Sequence, residues 1–437
     1  MDASTKNLFL RASIYFLMGT TYMYYLSLFA PLGTNWLDWH AQKIFNASEY
    51  LRLNGYLSSF GFSVWSSCVD CSLSEWEAGL YLSAPSFHLI PYILINHIGG
   101  KEALFLYGPL LDKAIIISTA ALVAEIGIRI LKSAFPSVLV GMCIFILFIS
   151  SPWVYKMIIA SWAEIFFIFF ALLALIHLNL GKNRLALVFF FIAAFFHYIW
   201  AAIISFFYFA VLILPNFIKD QGIANTYIPS SFLDNGYNKF LIPIFLISPF
   251  IFFSFLRFYA SHHILMSEGS SLLSRIGIAG NDIHNGGLIG AIQFLAGNRI
   301  SVCVSNSESL DVANNLNTSI FIYNCSLSLM GMFLMSLISI VGMGFILYRN
   351  KFAQQILVPI IFACFAFIMI FQQALSAHLM GFSYPFAIFF CLGIASIVNK
   401  SSQYFSSKIL HIIFITPFIA GIVILSTRVS FLTGLNG

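Results

Sequence analysis

Charged residues are scarce in this chain. Asp, Glu, Lys and Arg make up 8% of its 437 residues, whereas 60% are hydrophobic. A soluble fold of this size needs far more charge to cover its surface, so the composition excludes an ordinary water-soluble protein. Alternating hydrophobicity is missing too, and apolar runs of about twenty residues recur instead, each long enough to cross a hydrocarbon core. The runs predict membrane-spanning helices and exclude a β-barrel.

Clusters of basic residues are also absent, although the net charge is +5. Lys and Arg stand singly near the ends of apolar runs, which is the positive-inside pattern and not a stripe that follows phosphates. We therefore expect no nucleic-acid partner. The first apolar run, residues 12–30, lacks a small-x-small cleavage site, and we expect it to be retained as the first helix.

The fold class that we predict is all-α: a polytopic integral membrane protein with about eleven transmembrane helices and interfacial helices in its first outer loop. Residues 186–218 would measure about 50 Å as one helix, too long for a single span. The distribution of Lys and Arg favours two spans joined at His197 and Tyr198, with one span as the alternative. From a cytoplasmic amino terminus, the predicted segments are residues 12–30, 104–131, 135–151, 162–180, 186–218, 240–257, 326–348, 354–373, 379–397 and 409–426.

These segments divide the chain into three regions. Residues 1–257 form a transmembrane core that includes a first outer loop, 31–103. Residues 258–325 form a second outer loop, and residues 326–437 form the C-terminal helices. Most acidic residues fall in the two outer loops. Within the first, residues 38–56 have the spacing of an amphipathic interfacial helix, while the apolar stretch 84–98 is interrupted by prolines and is too short to span comfortably.

Cysteine pairs are few. The lone C-x-x-C of Cys68 and Cys71 has no second pair and no thioredoxin-like surroundings, so a structural disulfide is favoured over a redox pair or half of a zinc site. Cys303 and Cys325, in the second loop, are a candidate second bridge. The histidines and aspartate at residues 262–284 lack the spacing of a metal site. We predict no metal and no cofactor, and dependence on a divalent metal stays an open alternative.

The order of four short motifs carries a family resemblance. Residues 35–40 (NWLDWH) open the interfacial helix, residues 151–156 (SPWVYK) lead into residues 161–164 (SWAE), and residues 181–184 (GKNR) precede a pair of short helices. In this order, over residues 12–215, the chain resembles the GT-C glycosyltransferases, which are polytopic enzymes related to protein O-mannosyltransferases and the lipid A aminoarabinose transferase. The chain departs from the family in carrying a single acid in its first motif.

The resemblance implies transfer of a sugar from a polyprenyl-phosphate donor to a glycan, lipid or protein acceptor on the extracytoplasmic face. It also implies a cell-envelope enzyme of polysaccharide biosynthesis, in the bacterial inner membrane with its site facing the periplasm and with membrane lipids around it. One alternative is a polymerase or ligase of lipid-linked oligosaccharides that uses Arg275 and Arg299. Another is a secondary transporter, although the sequence shows no internal repeat.

Transfer of a sugar to a hydroxyl needs a carboxylate to accept a proton and cations to hold the phosphate. Asp38 is the candidate general base, and its alternative role is to cap the interfacial helix. The candidate phosphate ligands are Lys113, Lys156, Arg257 and Arg299, each of which has snorkelling to headgroups as its alternative. Further candidates for the cavity are His40, Glu164, His378 and Tyr384. Glu125, near the opposite end of its segment, is costly in lipid and should face protein or water.

Overall fold

The structure is a computed structural model. It describes residues 3–29, 39–55, 63–64, 80–81, 86–131, 137–154, 163–179, 182–196, 201, 205, 236–263, 315–350, 353, 357, 361, 384–401 and 408–434.

Helices make up almost all of the described chain, which confirms the helical fold class. A two-residue antiparallel pair, β1 (Ser63–Val64) and β2 (Leu80–Tyr81), lies in the first predicted loop. The α-helices are α1 (Ala3–Phe29), α2 (Trp39–Asn54), α3 (Ile90–Leu131), α4 (Ser137–Ile149), α5 (Ala163–Asn179), α6 (Asn183–Phe196), α7 (Gly236–His263), α8 (Asn315–Arg349), α9 (Tyr384–Ser401) and α10 (Lys408–Gly434).

Two helical segments of the described chain are long and apolar enough to cross a membrane, Phe87–Leu131 and Ser326–Tyr348. The second has the bounds predicted from the sequence. Its exposed side chains are large and apolar, including Leu334, Ile340 and Phe345. A surface of this kind is unusual in water and suits a lipid environment.

The helix α3 is broken at Gly100, where φ is 69° and ψ is −165°. A positive φ is cheap only for glycine, so this residue sets the break between a juxtamembrane segment, residues 90–99, and the long segment that follows. Pro91 lies in the first helical turn, where its missing N–H is not needed. The sequence places the break correctly, between the predicted stretch 84–98 and the span 104–131.

The two ends of α3 serve below as landmarks, the Gly100 end and the Arg129 end. Between them, Leu104, Gly108 and Asp112 recur every four residues on the buried side, whereas Leu106 and Leu110 are exposed. This spacing follows the helical repeat, so one side of α3 faces the protein and the other faces outward.

The bundle is built by pairwise packing around α3 and α4. The helix α3 contacts α1, α2, α4, α5 and α9, and α4 also contacts α1, α9 and α10. The helices α5, α6 and α7 pack successively, and α8 packs on α9 and α10. The core therefore lies along the buried faces of α3 and α4.

Glycines bring α8 and α9 into close contact. A Cβ atom added to Gly342 would lie 2.0 Å from the carbonyl oxygen of Gly393, and one added to Gly393 would lie 2.2 Å from the carbonyl oxygen of Ser339. The Ser339 hydroxyl donates to the carbonyl oxygens of Phe389 and Phe390, at 3.0 and 3.3 Å. Small residues and a hydroxyl that crosses between helices are typical of packing in membranes.

An ion pair joins α1 to α3 near the Arg129 end. The Arg11 guanidinium donates to both carboxylate oxygens of Glu125, at 2.6 and 2.9 Å, and each side chain is 14% exposed. The Tyr15 hydroxyl is 3.4 Å from the same carboxylate. The sequence predicts that Glu125 faces protein or water, and the structure places it against protein.

Several predicted boundaries shift in the structure. The helix α8 begins at Asn315, within the predicted second loop, so Cys325 is part of a helix and not of a loop. The helix α10 continues to Gly434, beyond the predicted end at residue 426. Beyond Phe196, the segment 186–218 is described only at Ala201 and Ser205, so the choice between one span and two lies outside the described residues.

Candidate functional site

Polar side chains collect where α2 packs on the juxtamembrane segment of α3. The Asn96 side-chain amide donates to Glu49 Oε2 at 2.7 Å and lies 3.5 Å from the Ser48 hydroxyl. Arg52 donates to both oxygens of Glu49, at 2.9 and 2.5 Å. Asn96 and Ser48 are buried, and Arg52 is exposed. One carboxylate thus links the two short helices.

The electrostatics of this contact favour the ionised form of Glu49. Hydrogen bonding to the Arg52 guanidinium lowers the pKa of the Glu49 carboxyl, partial burial opposes that change, and the Asn96 amide adds to it. The same pairing raises the pKa of Arg52. The link between the helices is therefore charge-assisted at neutral pH.

A cation and two aromatic rings lie beside this link. Lys101 Nζ lies 4.9 Å from the ring centroid of Phe45 and 5.7 Å from that of Phe105. The two rings are 6.0 Å apart, between α2 and α3. A lysine over aromatic faces adds a further contact that holds α2 against the Gly100 end.

Deeper in the bundle, a tyrosine bonds to a carboxylate. The Tyr92 hydroxyl donates to Asp112 Oδ1, and the two residues are 0% and 2% exposed. The Tyr92 ring also meets Phe166 of α5 edge to face, with centroids 6.5 Å apart. At 1.5 Å per residue, Asp112 lies about 28 Å from Leu131, close to the thickness of a hydrocarbon core. Tyr92 and Asp112 therefore lie near one membrane boundary if the Arg129 end is at the other.

Two buried hydroxyl groups lie at the end of α4. Ser150 and Ser151 are 1% and 0% exposed, and their Oγ atoms have no hydrogen-bond partner among the described residues. Trp153, which follows them, packs on Phe390 of α9 with centroids 5.1 Å apart. Ser151 opens the motif at residues 151–156, one of the four on which the family resemblance rests, and Ser150 precedes it.

Lys113 is the one predicted phosphate ligand whose side chain the structure describes. It is half-buried and follows Asp112 directly. Neighbours on a helix point in different directions, although the charge of Asp112 still acts on Lys113.

For most other predicted site residues, the structure describes no side chain. Those that lie outside the described residues are Asp38, Lys156, Arg299, His378, Cys68, Cys71 and Cys303. For five more, the structure describes the helical backbone: His40 in α2, Glu164 in α5, Arg257 in α7, Cys325 in α8 and Tyr384 in α9. The assignment of Asp38 as general base, the phosphate ligands and both disulfides stay predictions.

Sequence reasoning missed the partners of two buried polar residues. Asp112, Tyr92 and Asn96 are not among the site residues predicted from the sequence. The available signal was a carboxylate within an apolar run, which calls for a partner in the protein. Among the described residues, no group of three or more His, Cys, Asp or Glu side chains is placed to hold a metal ion.

No protein-family profile, no curated protein and no solved structure matches this chain.

Proposed function

We propose that the protein is a multi-pass membrane glycosyltransferase of the GT-C type. It would move a sugar from a polyprenyl-phosphate donor to a glycan, lipid or protein acceptor on the extracytoplasmic face, with Asp38 as general base. The proposal includes about eleven spans, placement in the bacterial inner membrane and a site that faces the periplasm.

One observation carries most of the support. A long first helix is followed by two short helical elements, α2 and residues 90–99, and Glu49 and Asn96 bond them to each other. These two elements are interfacial helices of the kind expected in the first outer loop, where the motif at residues 35–40 begins the family resemblance. Asp38 immediately precedes α2 in the sequence. A carboxylate at that point would stand beside a structure fixed on the bundle by polar and aromatic contacts.

The chemistry needs few groups. The Asp38 carboxylate accepts the proton of the acceptor hydroxyl as that oxygen bonds to the anomeric carbon of the sugar. The bond from the anomeric carbon to the phosphate oxygen breaks, and polyprenyl phosphate leaves with the electron pair. Cations stabilise the charge on this leaving group, and Lys113, Lys156, Arg257 and Arg299 are the candidates.

Asp112 and Tyr92 suit a positioning role. Tyr92 lies on the juxtamembrane segment of α3, and Asp112 lies on its long segment. The hydrogen bond from the Tyr92 hydroxyl to Asp112 therefore joins the two segments on either side of Gly100. When residues 90–99 are held in this way, α2 keeps a fixed position against the bundle. The movement of Asp38, which precedes α2 in the sequence, would then be limited.

The test is reconstituted transfer. The purified protein is placed in liposomes with a polyprenyl-phosphate mannose labelled in the sugar, and release of polyprenyl phosphate and of labelled product is followed. Asp38→Asn should abolish transfer, while Asp70→Asn, the same substitution in the same predicted loop, should retain it.

Two results would contradict the proposal. Transfer that survives Asp38→Asn removes Asp38 as the base. If a panel of polyprenyl-phosphate sugars gives no transfer and sealed vesicles instead accumulate a solute, the protein is a transporter and the glycosyltransferase assignment is wrong.

A further inference from the structure

A cavity lies away from the candidate site, toward the Arg129 end of the bundle. It is a groove of about 440 Å³ between α1, α4, α9 and α10. Met18, Cys143, Ala395 and Val423 line it from the four helices. We call it the α4–α10 groove.

The walls of the α4–α10 groove do not suit a polar ligand. In the part of the chain that the structure describes, Asn399 and Thr416 are the lining residues with polar side chains other than a thiol. The Asn399 amide donates to the carbonyl oxygen of Leu131 at 3.2 Å, and the Thr416 hydroxyl donates to that of Ile412 at 2.7 Å. Both side chains thus bond to backbone, and the remaining walls are aliphatic or contain sulfur. The occupant must be apolar.

The dimensions of the groove match one lipid chain. Along α10 it extends from Ile412 to Val423, about 16 Å at 1.5 Å per residue, which is close to half of a hydrocarbon core of about 30 Å. Its volume of about 440 Å³ falls within the range of roughly 300–1,000 Å³ that is typical of ligand pockets. The groove therefore spans one leaflet.

The end of the groove at Asn399 is basic. Lys400 follows Asn399 directly, and the bond from Asn399 to Leu131 brings the end of α3, with exposed Arg129, to the same place. The nearby Glu125 is paired with Arg11. Among the described residues that line the groove, none is acidic. Positive charge beside the apolar α4–α10 groove favours a ligand with an anionic head and an aliphatic tail.

We infer that the α4–α10 groove binds one acyl chain of an anionic phospholipid from the leaflet at the Arg129 end, with the phosphate beside Arg129 and Lys400. The inference rests on the membrane placement within the proposed function and does not depend on sugar transfer. It gives the bundle a specific lipid site on the side opposite to the candidate active site.

Lipid retention by the full chain tests this inference. The protein is equilibrated in nanodiscs of phosphatidylglycerol and phosphatidylcholine, and native mass spectrometry after release counts the lipids that stay bound. The parent should retain one phosphatidylglycerol. Ala420→Trp and, as a second filling variant, Thr416→Trp should lose it, because the indole occupies the groove.

The matched control is Ile424→Trp, on the same helix, where the parent side chain is 68% exposed and does not line the groove. It should retain the lipid. The double variant Arg129→Gln with Lys400→Gln should lose the preference for phosphatidylglycerol over phosphatidylcholine. Melting temperature and circular dichroism select variants that are folded.

Three outcomes would overturn the inference: equal retention in folded Ala420→Trp and Ile424→Trp, no preference between the two lipids in the parent, or displacement by polyprenyl phosphate at concentrations where phosphatidylcholine has no effect. The last would assign the groove to the donor lipid. Because no sugar donor or acceptor is present, a negative result here leaves the transfer assay unaffected, and the reverse also holds.

Discussion

The hydroxyl of Tyr92 donates a hydrogen bond to the carboxylate of Asp112, and both residues are buried. The bond joins the two segments of α3 across the break at Gly100. A buried carboxylate that accepts a hydrogen bond loses the free energy of that bond when the donor is removed, and it cannot replace the donor cheaply in an apolar setting.

Tyr92→Phe should therefore lower the free energy of unfolding by about 1–3 kcal/mol, because the ring stays and the donor goes. Thermal denaturation in detergent measures the change. Tyr107→Phe is the control, since Tyr107 is 53% exposed on the same helix and should tolerate the loss of its hydroxyl. Equal melting temperatures for the two variants would mean that the bond contributes nothing to stability.

The contact between α8 and α9 gives a second prediction. Gly342→Ala should destabilise the protein by about 1–3 kcal/mol, because the new methyl group meets backbone and the helices must separate. Gly344→Ala, two residues away, should cause no loss, because a Cβ added there would meet no described atom within 4 Å. Melting temperatures of the pair give the comparison. A stable Gly342→Ala protein would show that α8 and α9 can move apart freely.

The Glu49 link predicts a dependence on pH. Because pairing with Arg52 lowers the pKa of Glu49 below its ordinary value of 4.5, the folded state binds the proton less readily than the unfolded state. The stabilisation is complete above about pH 4.5 and is lost as the pH falls through the lowered pKa.

The protection factors of the α2 amides, which are exchange rates corrected for the intrinsic effect of pH, should therefore fall below this pH. Glu49→Gln should remove this fall in protection, and Glu102→Gln, which changes an exposed carboxyl on α3, should leave it in place. Exchange in α2 that responds to acid equally in all three proteins would assign the effect to other carboxyl groups.

Lys113 gives a prediction for the donor site. Lys113→Met keeps the length of the side chain and removes its charge, so the KM for a polyprenyl-phosphate mannose should rise about tenfold, equivalent to about 1.4 kcal/mol. Arg428→Met removes an exposed charge from α10, away from the candidate site, and should leave KM near the parent value. Steady-state transfer kinetics in liposomes measure both. If both variants keep the parent KM, Lys113 does not bind the phosphate.

Sequence determines the helical segments well because each is a local property of composition. Ser326–Tyr348 has the predicted bounds since apolarity alone sets them, and the break at Gly100 follows from a pair of glycines between two apolar runs. The predicted start of α8 is too late because the first turns of this helix are polar. The apolar run marks only part of the helix, so it does not show where the helix begins.

The partners of buried polar groups are a different matter. The cost of burying Glu125 or Asp112 is visible in the sequence, but the side chain that meets each one depends on how helices pack. Arg11 is separated from Glu125 by 114 residues, and Tyr92 from Asp112 by 20. Such pairs arise from the tertiary arrangement and have no local signature. The assignment of Asp38 stays a prediction from motif order.

The pair of Arg11 and Glu125 also constrains how the protein is assembled. The ribosome must add 114 residues after Arg11 before its partner exists, so α1 is synthesised well before the carboxylate that it binds. Glu125 lies about 9 Å before the end of α3, so that helix is almost complete when the partner appears. Closure of the pair therefore comes late relative to the synthesis of α1, and it joins two helices that are made at different times.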